Sequence, residues 1–195
     1  MTGLAQRIAF VEEIDRLKGV LRRTRLINEE RKENTAEHSW HVAMMALALA
    51  PDAPQGVNID RAVQMLLVHD IVEIDVGDTF AYDEAGHREK PAKEARAARR
   101  IFGLLPRSEG EHYIDLWKEY EAAETPDGAF AHSVDRFLPI LHNYRTDGHA
   151  WREHGIRRSQ VLKRNAVIER GCPSLWPLVL QIVDDAVAHG MLIDG

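Results

Sequence analysis

The sequence predicts an all-α protein. Apolar side chains recur at helical spacing, as Ile8, Val11 and Ile14 do near the start of the chain. Residues that cap helices stand in front of several such stretches, and the alternation typical of strands is weak throughout. The 195 residues contain no internal repeat and no linker that would divide them. We therefore expect one helical domain over residues 1–195, long enough to bury a sizeable core.

The first two helices are predicted by different signals. Periodicity alone predicts a helix over residues 7–22, and the polar, basic segment 23–34 that follows is predicted to be a loop. Asn34 can cap the second helix, because Glu37 stands at the capping-box position three residues later. Pro51 cannot continue a helix and is expected to end it.

Later helices carry clearer boundary residues. Asn58 can cap a third helix that runs to Gly77, a natural C-terminal cap, and residues 78–90 are predicted to be an irregular loop. The remaining helices are predicted over residues 91–105, 108–123, 125–144, 157–170 and 175–189. Three of them begin at a proline or a capping residue, namely Pro91, Ser108 and Thr125.

The composition limits the class of protein. A net charge of −6 with 45% hydrophobic residues is typical of a soluble globular protein and argues against a general nucleic-acid binder. The longest apolar runs are too short to cross a membrane, and no signal-peptide pattern is visible. The single cysteine, Cys172, excludes a disulfide within the chain and an all-cysteine metal site. We expect a cytoplasmic protein that binds neither nucleic acid nor membrane.

The stretch LLVHDIVEIDVGD, residues 66–78, places charged groups in the apolar stripe of a predicted helix. His69 and Asp70 lie in the middle of that stripe. Burial of an ionised carboxylate is costly unless the carboxylate is paired or bound to a metal ion. His38 and Asp135 stand in two other apolar helices, and two imidazoles with two carboxylates suit a divalent transition metal. The four residues therefore predict a metal site.

The order His…His–Asp…Asp on successive helices resembles the HD-domain superfamily of metal-dependent phosphohydrolases. Further motifs are similar to the branch that contains the bacterial 5′-deoxynucleotidases and the human HD domain-containing protein 2. The motifs that carry this likeness are Arg23, Glu37–His38, His69–Asp70–Ile71–Val72–Glu73 and Gly77–Asp78. The resemblance covers about residues 8–145, leaves residues 150–195 without a match, and implies an HD-domain helical bundle.

The resemblance also implies an activity. It indicates an enzyme that uses one bound metal ion to hydrolyse deoxynucleoside or nucleoside 5′-monophosphates to nucleoside and phosphate. The two histidines and two aspartates would hold the ion, and this set allows Co²⁺, Mn²⁺, Mg²⁺, Fe²⁺, Ni²⁺ or Zn²⁺. Glu73 and Asp78 are the predicted catalytic carboxylates, and their division into acid and base stays open.

Three residues are predicted to bind the substrate. Arg23 is the candidate to neutralise the phosphoryl oxygens, although Arg22 or Arg25 could serve instead. Thr24 stands where some bacterial relatives carry a tryptophan that helps to select deoxyribose, so sugar selectivity does not transfer to this chain. His132 stands where many relatives carry a lysine. It either contacts the substrate phosphate or has no role.

Other functions are compatible with the same motifs. One is an HD-type phosphodiesterase or a nucleoside triphosphate hydrolase, although such relatives tend to have additional histidines or more basic residues. Another is a non-catalytic regulator that binds metal or nucleotide, which would have no need of Glu73 and Asp78. The resemblance implies a homodimer. The apolar C-terminal helix over residues 175–192 would pack either on a partner or on its own core.

Overall fold

The computed structural model describes residues 2–78 and 89–195. Helices dominate it, as predicted, and two short strands pair as an antiparallel hairpin. The strands are β1 (Leu21–Arg25) and β2 (Lys32–Asn34). The α-helices are α1 (Gly3–Ile14), α2 (Thr35–Ala48), α3 (Ile59–Val68), α4 (Glu73–Val76), α5 (Lys90–Phe102), α6 (Arg107–Ala122), α7 (Pro126–Arg145), α8 (His149–Glu153), α9 (Arg158–Asn165), α10 (Val167–Gly171) and α11 (Trp176–Ala188). Within these described ranges, none of the helices is long and apolar enough to span a membrane.

The prediction for the first 34 residues is wrong in its detail. Helix α1 ends at Ile14, a short 3₁₀ turn follows, and the segment predicted as a loop contains both strands. The hairpin pairs Leu21 with Asn34, and its base continues with a 2.9 Å hydrogen bond from the Thr35 amide to the Val20 carbonyl. Strands of five and three residues are too short for alternation to reveal them, so only their mutual pairing defines them.

Helix α7 runs through the middle of the bundle. It packs against α2, α3 and α6, and also against α9, α10 and α11. Apolar side chains from most of these helices meet around it in a single core cluster. The fully buried members include Val42, Met65, Leu66, Ile101, Phe102, Leu116, Phe130, Leu138, Ile168, Val179 and Val183. This position makes α7 the element that joins the N-terminal and C-terminal helices.

Gly171 lets α10 approach α7 very closely. A Cβ atom at this position would lie 2.1 Å from the Ala129 carbonyl oxygen and 2.3 Å from Ser133 Oγ. Both distances are far inside ordinary contact, so no larger residue fits without a shift of the backbone. The hydroxyl of Ser133 also donates a 3.3 Å hydrogen bond to the Val167 carbonyl, which joins the two helices at the same point.

The C-terminal helices pack on the protein's own core. Helix α11 buries one face, made of Val179, Ile182, Val183 and Ala186. The helix predicted over residues 157–170 is divided into α9 and α10. Of the loop predicted over 78–90, residues 79–88 lie outside the described part of the chain.

Candidate metal centre and substrate cavity

The predicted ligands lie at the ends or in the middle of three helices. His38 stands in the first turn of α2, behind Asn34, whose side chain accepts the Glu37 amide at 2.9 Å. The Glu37 carboxylate accepts the Asn34 amide at 3.2 Å, which confirms the predicted capping box. Asp135 lies midway along α7, where it is buried.

The helix predicted over residues 58–77 is interrupted at two of the predicted metal ligands, His69 and Asp70. Helix α3 ends at Val68 and α4 begins at Glu73, so the His69–Asp70 pair occupies the turn between them. In this turn the Glu73 amide bonds to the Asp70 carbonyl at 2.9 Å, a bond between residues three apart. Hydrogen bonds between residues three apart replace the bonds between residues four apart that an α-helix would make here. The break gathers His69, Asp70 and Glu73 at the end of a buried helix.

The four predicted ligands converge. His38 Nε2 lies 2.9 Å from Asp135 Oδ1, and His69 Nε2 lies 3.0 Å from Asp70 Oδ2. The cross distances are 4.0 Å between His38 Nε2 and Asp70 Oδ2 and 3.7 Å between His69 Nε2 and Asp135 Oδ1. The imidazoles are almost inaccessible to solvent. Two nitrogens and two carboxylate oxygens therefore face one another in a small buried space.

The hydrogen bonds of His69 and Asp135 show which of their atoms are available to bind a metal ion. His69 Nδ1 lies 2.8 Å from the Leu66 carbonyl, so this nitrogen carries the proton and donates it. When the ring is neutral, Nε2 of His69 presents a lone pair to the centre; it lies 3.0 Å from Asp70 Oδ2, and among the described residues it makes no well-aligned hydrogen bond. Tyr120 donates a 2.8 Å hydrogen bond to Asp135 Oδ2, which leaves Oδ1 directed at the histidines. A divalent cation satisfies lone pairs and carboxylate oxygens arranged in this way.

The carboxylates of the centre are held in their charged forms. Burial raises the pKa of Asp70, but His69 and Arg22 outweigh it and hold the pKa well below its usual range. Burial likewise raises the pKa of Asp135, and the two histidines lower it further than burial raises it. Burial lowers the pKa of His69, yet the two aspartates raise it well above the ordinary value. A bound cation would neutralise the two aspartates in place of the positive charge on His69.

The predicted catalytic carboxylates border the same cavity as Asp70 and Asp135. Glu73 is buried, and Thr35 Oγ1 donates a 2.9 Å hydrogen bond to its Oε2. Burial and the neighbouring Asp70 raise the pKa of Glu73 to about 8. Burial also raises the pKa of Asp78. Both groups therefore hold protons more firmly than ordinary carboxylates do.

The two neighbouring arginines of β1 differ in position. Arg22 reaches into the centre, where Nη1 bonds to Asp70 Oδ2 at 2.8 Å, and its side chain is 14% exposed. Arg23 lines the cavity from an exposed position. Thr24 also lines the cavity, and its hydroxyl donates a 3.4 Å hydrogen bond to Glu33. Contact between substrate phosphate and Arg23 remains a prediction, and Arg22 is the guanidinium that touches a ligand of the centre.

His132 lies one helical turn from Asp135 on the cavity wall. Its ring stacks on Tyr120 with centroids 4.9 Å apart and an interplanar angle of 12°. Nε2 of His132 accepts a 3.0 Å hydrogen bond from Arg136. Burial and Arg136 lower the pKa of His132 to about 4, so the ring is neutral at neutral pH. It cannot supply the positive charge that a lysine would supply at this position.

Sequence reasoning missed several residues of the site. Tyr120, Lys90 and Trp151 line the cavity, and Glu33 contacts His38 behind the centre at 3.3 Å. No local pattern marks Tyr120 or Trp151, because aromatic residues in amphipathic helices are normally read as core. Glu33 had a weak signal, since it is an acidic residue directly before the Asn34 cap.

Two histidines and two aspartates that converge beside a cavity in an all-α bundle are typical of helical proteins that bind a divalent metal ion. The family model of the HD domain matches residues 14–176. The chain belongs to the HD domain family, as its motifs had indicated.

Curated relatives share most of this region. The human protein 5′-deoxynucleotidase HDDC2 is 31% identical over 140 residues, which are 71% of this chain and 67% of the human protein. The protein of the same name from Dictyostelium discoideum is 32% identical over 70% of this chain and 75% of that protein. The match covers 56% of the mouse protein, so the chain spans between about half and three quarters of these relatives.

Solved structures have the same fold. A "predicted metal-dependent phosphohydrolase" from Magnetospirillum magnetotacticum is 49% identical, with a TM-score of 0.93 over 97% of this chain and 95% of that one. An HD-domain phosphohydrolase from Listeria innocua is 18% identical, with a TM-score of 0.67 over 93% of this chain and 90% of that one. The second likeness shows only that the fold is shared.

Proposed function

We propose that the protein is a metal-dependent phosphomonoesterase that hydrolyses deoxynucleoside or nucleoside 5′-monophosphates to nucleoside and phosphate. The observation that carries the proposal is the convergence of the four predicted metal ligands beside a cavity that Arg22 and Glu73 also line. The curated relatives named 5′-deoxynucleotidases support the substrate class.

His38, His69, Asp70 and Asp135 would hold the ion. A bound divalent ion supplies Lewis-acid chemistry, because it neutralises phosphoryl oxygens and lowers the pKa of a water molecule from about 16 towards 7. Both histidines present their Nε2 atoms to the centre, and Tyr120 fixes one of the two carboxylates by a hydrogen bond. This rigid set orients the ligands before the substrate arrives.

Arg22 is our candidate for binding the phosphate. One of its nitrogens bonds to Asp70, and a guanidinium has further N–H groups that can bind phosphoryl oxygens beside the centre. Lys90 lines the same cavity and adds a second positive charge. Arg23, Thr24 and His132 stay predicted substrate contacts, Arg23 as the alternative to Arg22 at the phosphate.

Hydrolysis requires two proton movements. The oxygen of water bonds to phosphorus, the bond between phosphorus and the sugar 5′ oxygen breaks, and the leaving alkoxide must receive a proton. We assign this donation to Glu73, because a carboxyl group with a pKa of about 8 is protonated near neutrality. We assign to Asp78 the removal of the proton from the attacking water, since its raised pKa makes it a stronger base than an ordinary aspartate.

Assembly and location form a second part of the proposal. We expect a homodimer, and exposed apolar side chains on α2 are available for it, namely Trp40, Met44 and Leu47. We expect a cytoplasmic protein, consistent with a single, buried, reduced cysteine, and no binding of nucleic acid, consistent with the net negative charge. Size determination in solution checks the dimer.

Phosphate release from metal-stripped protein tests the activity. The protein should receive Co²⁺, Mn²⁺, Mg²⁺ or no metal and be offered every deoxyribo- and ribonucleoside monophosphate, a cyclic nucleotide and a triphosphate. We expect metal-dependent release from monophosphates, and loss of that release in Asp70→Asn but not in the neighbouring Asp75→Asn, whose side chain pairs with Arg100 away from the cavity. Release only from the cyclic nucleotide or the triphosphate would replace the proposal. Absence of all release with metal bound would favour a binding protein.

A further inference from the structure

A second group of metal-ligating side chains lies behind the first. Glu33 of β2, His41 of α2 and His142 of α7 each offer one ligand atom, and these atoms lie within 4.8 Å of one another. The group is separate from the cavity described above, because none of the three residues lines it. Glu33 is 1% exposed, His142 is 2% exposed, and His41 is half-buried.

Two atoms of this group, Glu33 Oε1 and His142 Nδ1, are buried and have no hydrogen-bond partner among the described residues. The other carboxylate oxygen, Glu33 Oε2, is occupied. It lies 3.3 Å from His38 Nδ1, 3.5 Å from Arg22 Nε and 3.9 Å from His142 Nδ1. A buried oxygen and a buried ring nitrogen that lack partners carry a desolvation penalty, and a cation between them removes it.

We propose that Glu33, His41 and His142 bind a second divalent ion of the zinc class. Two imidazoles with one carboxylate form a ligand set that zinc accepts, with solvent in the remaining position on the half-buried His41 side. Ligand atoms about 2.0–2.1 Å from a tetrahedral ion are roughly 3.4 Å apart. The three ligand atoms lie within 4.8 Å of one another, so the longest separation between them would have to close by up to about 1.4 Å around such an ion.

The second site is distinct from the first centre. His38 directs Nε2 to Asp135 in the first centre, and its Nδ1 lies against Glu33 in the second group. The imidazole of His38 thus stands between the two sites, so the two ions could not share a substrate oxygen. The charge of Arg22, which opposes a cation near Glu33, is offset by its 2.8 Å bond to Asp70.

The site would have a structural consequence. The second ion would tie β2 and α2 to α7 and hold Glu33 in place against His38. The predicted role is to fix the geometry behind the first centre, which goes beyond the proposed hydrolysis and does not depend on it.

Ion counting tests the proposal. Metal-stripped protein is dialysed against Zn²⁺, and bound zinc per chain is measured by elemental analysis. We expect two ions per chain in the wild type, and one in His41→Gln, in His142→Gln and in Asp70→Asn. His112→Gln is the matched control, because His112 is an exposed histidine outside both sites and should leave two ions bound.

Cobalt provides an independent measurement on the same variants. Co²⁺ titration should show two sets of visible absorption bands in the wild type, and His41→Gln should lose one set while circular dichroism shows intact helices. His41 is half-buried, so this variant carries the test even where His142→Gln does not fold. Zinc content equal to that of the wild type in both His41→Gln and His142→Gln would overturn the proposal, whatever Asp70→Asn shows about the first centre.

Discussion

The two faces of α7 are stabilised in different ways. One face turns His132 and Asp135 to the cavity, and its polar atoms contact Tyr120 and His38 and would contact the proposed cation. The other face presents Ala129 and Ser133 to Gly171, where close packing and one hydrogen bond hold α10 against α7. Substitutions on the first face should change metal binding, activity and pH dependence. Substitutions on the second should change stability alone.

The largest effect is expected from Glu73→Gln. This substitution keeps the size of the side chain and removes the proton that we assign to the leaving group, so turnover should fall by about 10²–10⁴-fold. Metal content should stay unchanged, because Glu73 is not among the ligands. Steady-state kinetics and elemental analysis check both points. Asp75→Asn serves as the control, and turnover in Glu73→Gln within threefold of the control would remove Glu73 from the mechanism.

The second effect separates the two arginines of β1. Arg22→Ala should lower kcat/KM by about 10–100-fold, because a charge-assisted hydrogen bond contributes about 1.5–3 kcal/mol. Arg23→Ala should have a much smaller effect, since Arg23 lies exposed at the cavity wall. Kinetics with one deoxynucleoside monophosphate measure both variants. A larger loss of kcat/KM in Arg23→Ala than in Arg22→Ala would assign phosphate binding to Arg23, as its place in the sequence motif indicates.

The third effect concerns the packed face of α7. Gly171→Ala should lower the free energy of unfolding by about 1–3 kcal/mol, because a methyl group would overlap the Ala129 carbonyl and Ser133 Oγ. Denaturant titration measures the loss. Gly19→Ala is the control, because a Cβ at that position meets no atom of residues 2–78 or 89–195 within 4 Å. Ion content at the first centre should be the same in both variants. Loss of that ion in Gly171→Ala would show that the two faces are not independent.

The smallest effect is on the pH dependence of stability in metal-free protein. Glu73 has a pKa of about 8 in the folded state, against an ordinary value of 4.5. Its contribution to stability is therefore complete below about 4.5 and is lost as the pH rises through about 8. Between about pH 5 and pH 8, the wild type should lose at least about 1.4 kcal/mol more unfolding free energy than Glu73→Gln does, the value of one pKa unit. Equal losses in denaturant titrations with a chelator present would contradict the raised pKa.

Local signals predicted some of these features correctly. The Asn34–Glu37 capping box is confirmed, because its two hydrogen bonds join residues three apart and depend on nothing distant. Gly77 ends α4 with a φ of 74°, a conformation that glycine adopts without strain. The break between α3 and α4 was missed, because the apolar periodicity continues through it while His69 and Asp70 are drawn towards partners on other helices.

The sequence by itself determined the all-α class and predicted the four side chains that converge at the centre, since periodicity and charged groups on apolar stripes are properties of the chain alone. Only the tertiary structure decided which arginine enters the centre, that Tyr120 fixes Asp135, and that Glu33, His41 and His142 meet. The residues of these contacts are separated by 15 to more than 100 positions or lie on short strands whose pairing no local pattern reveals. Their meeting depends on how helices pack around α7, which long-range burial determines.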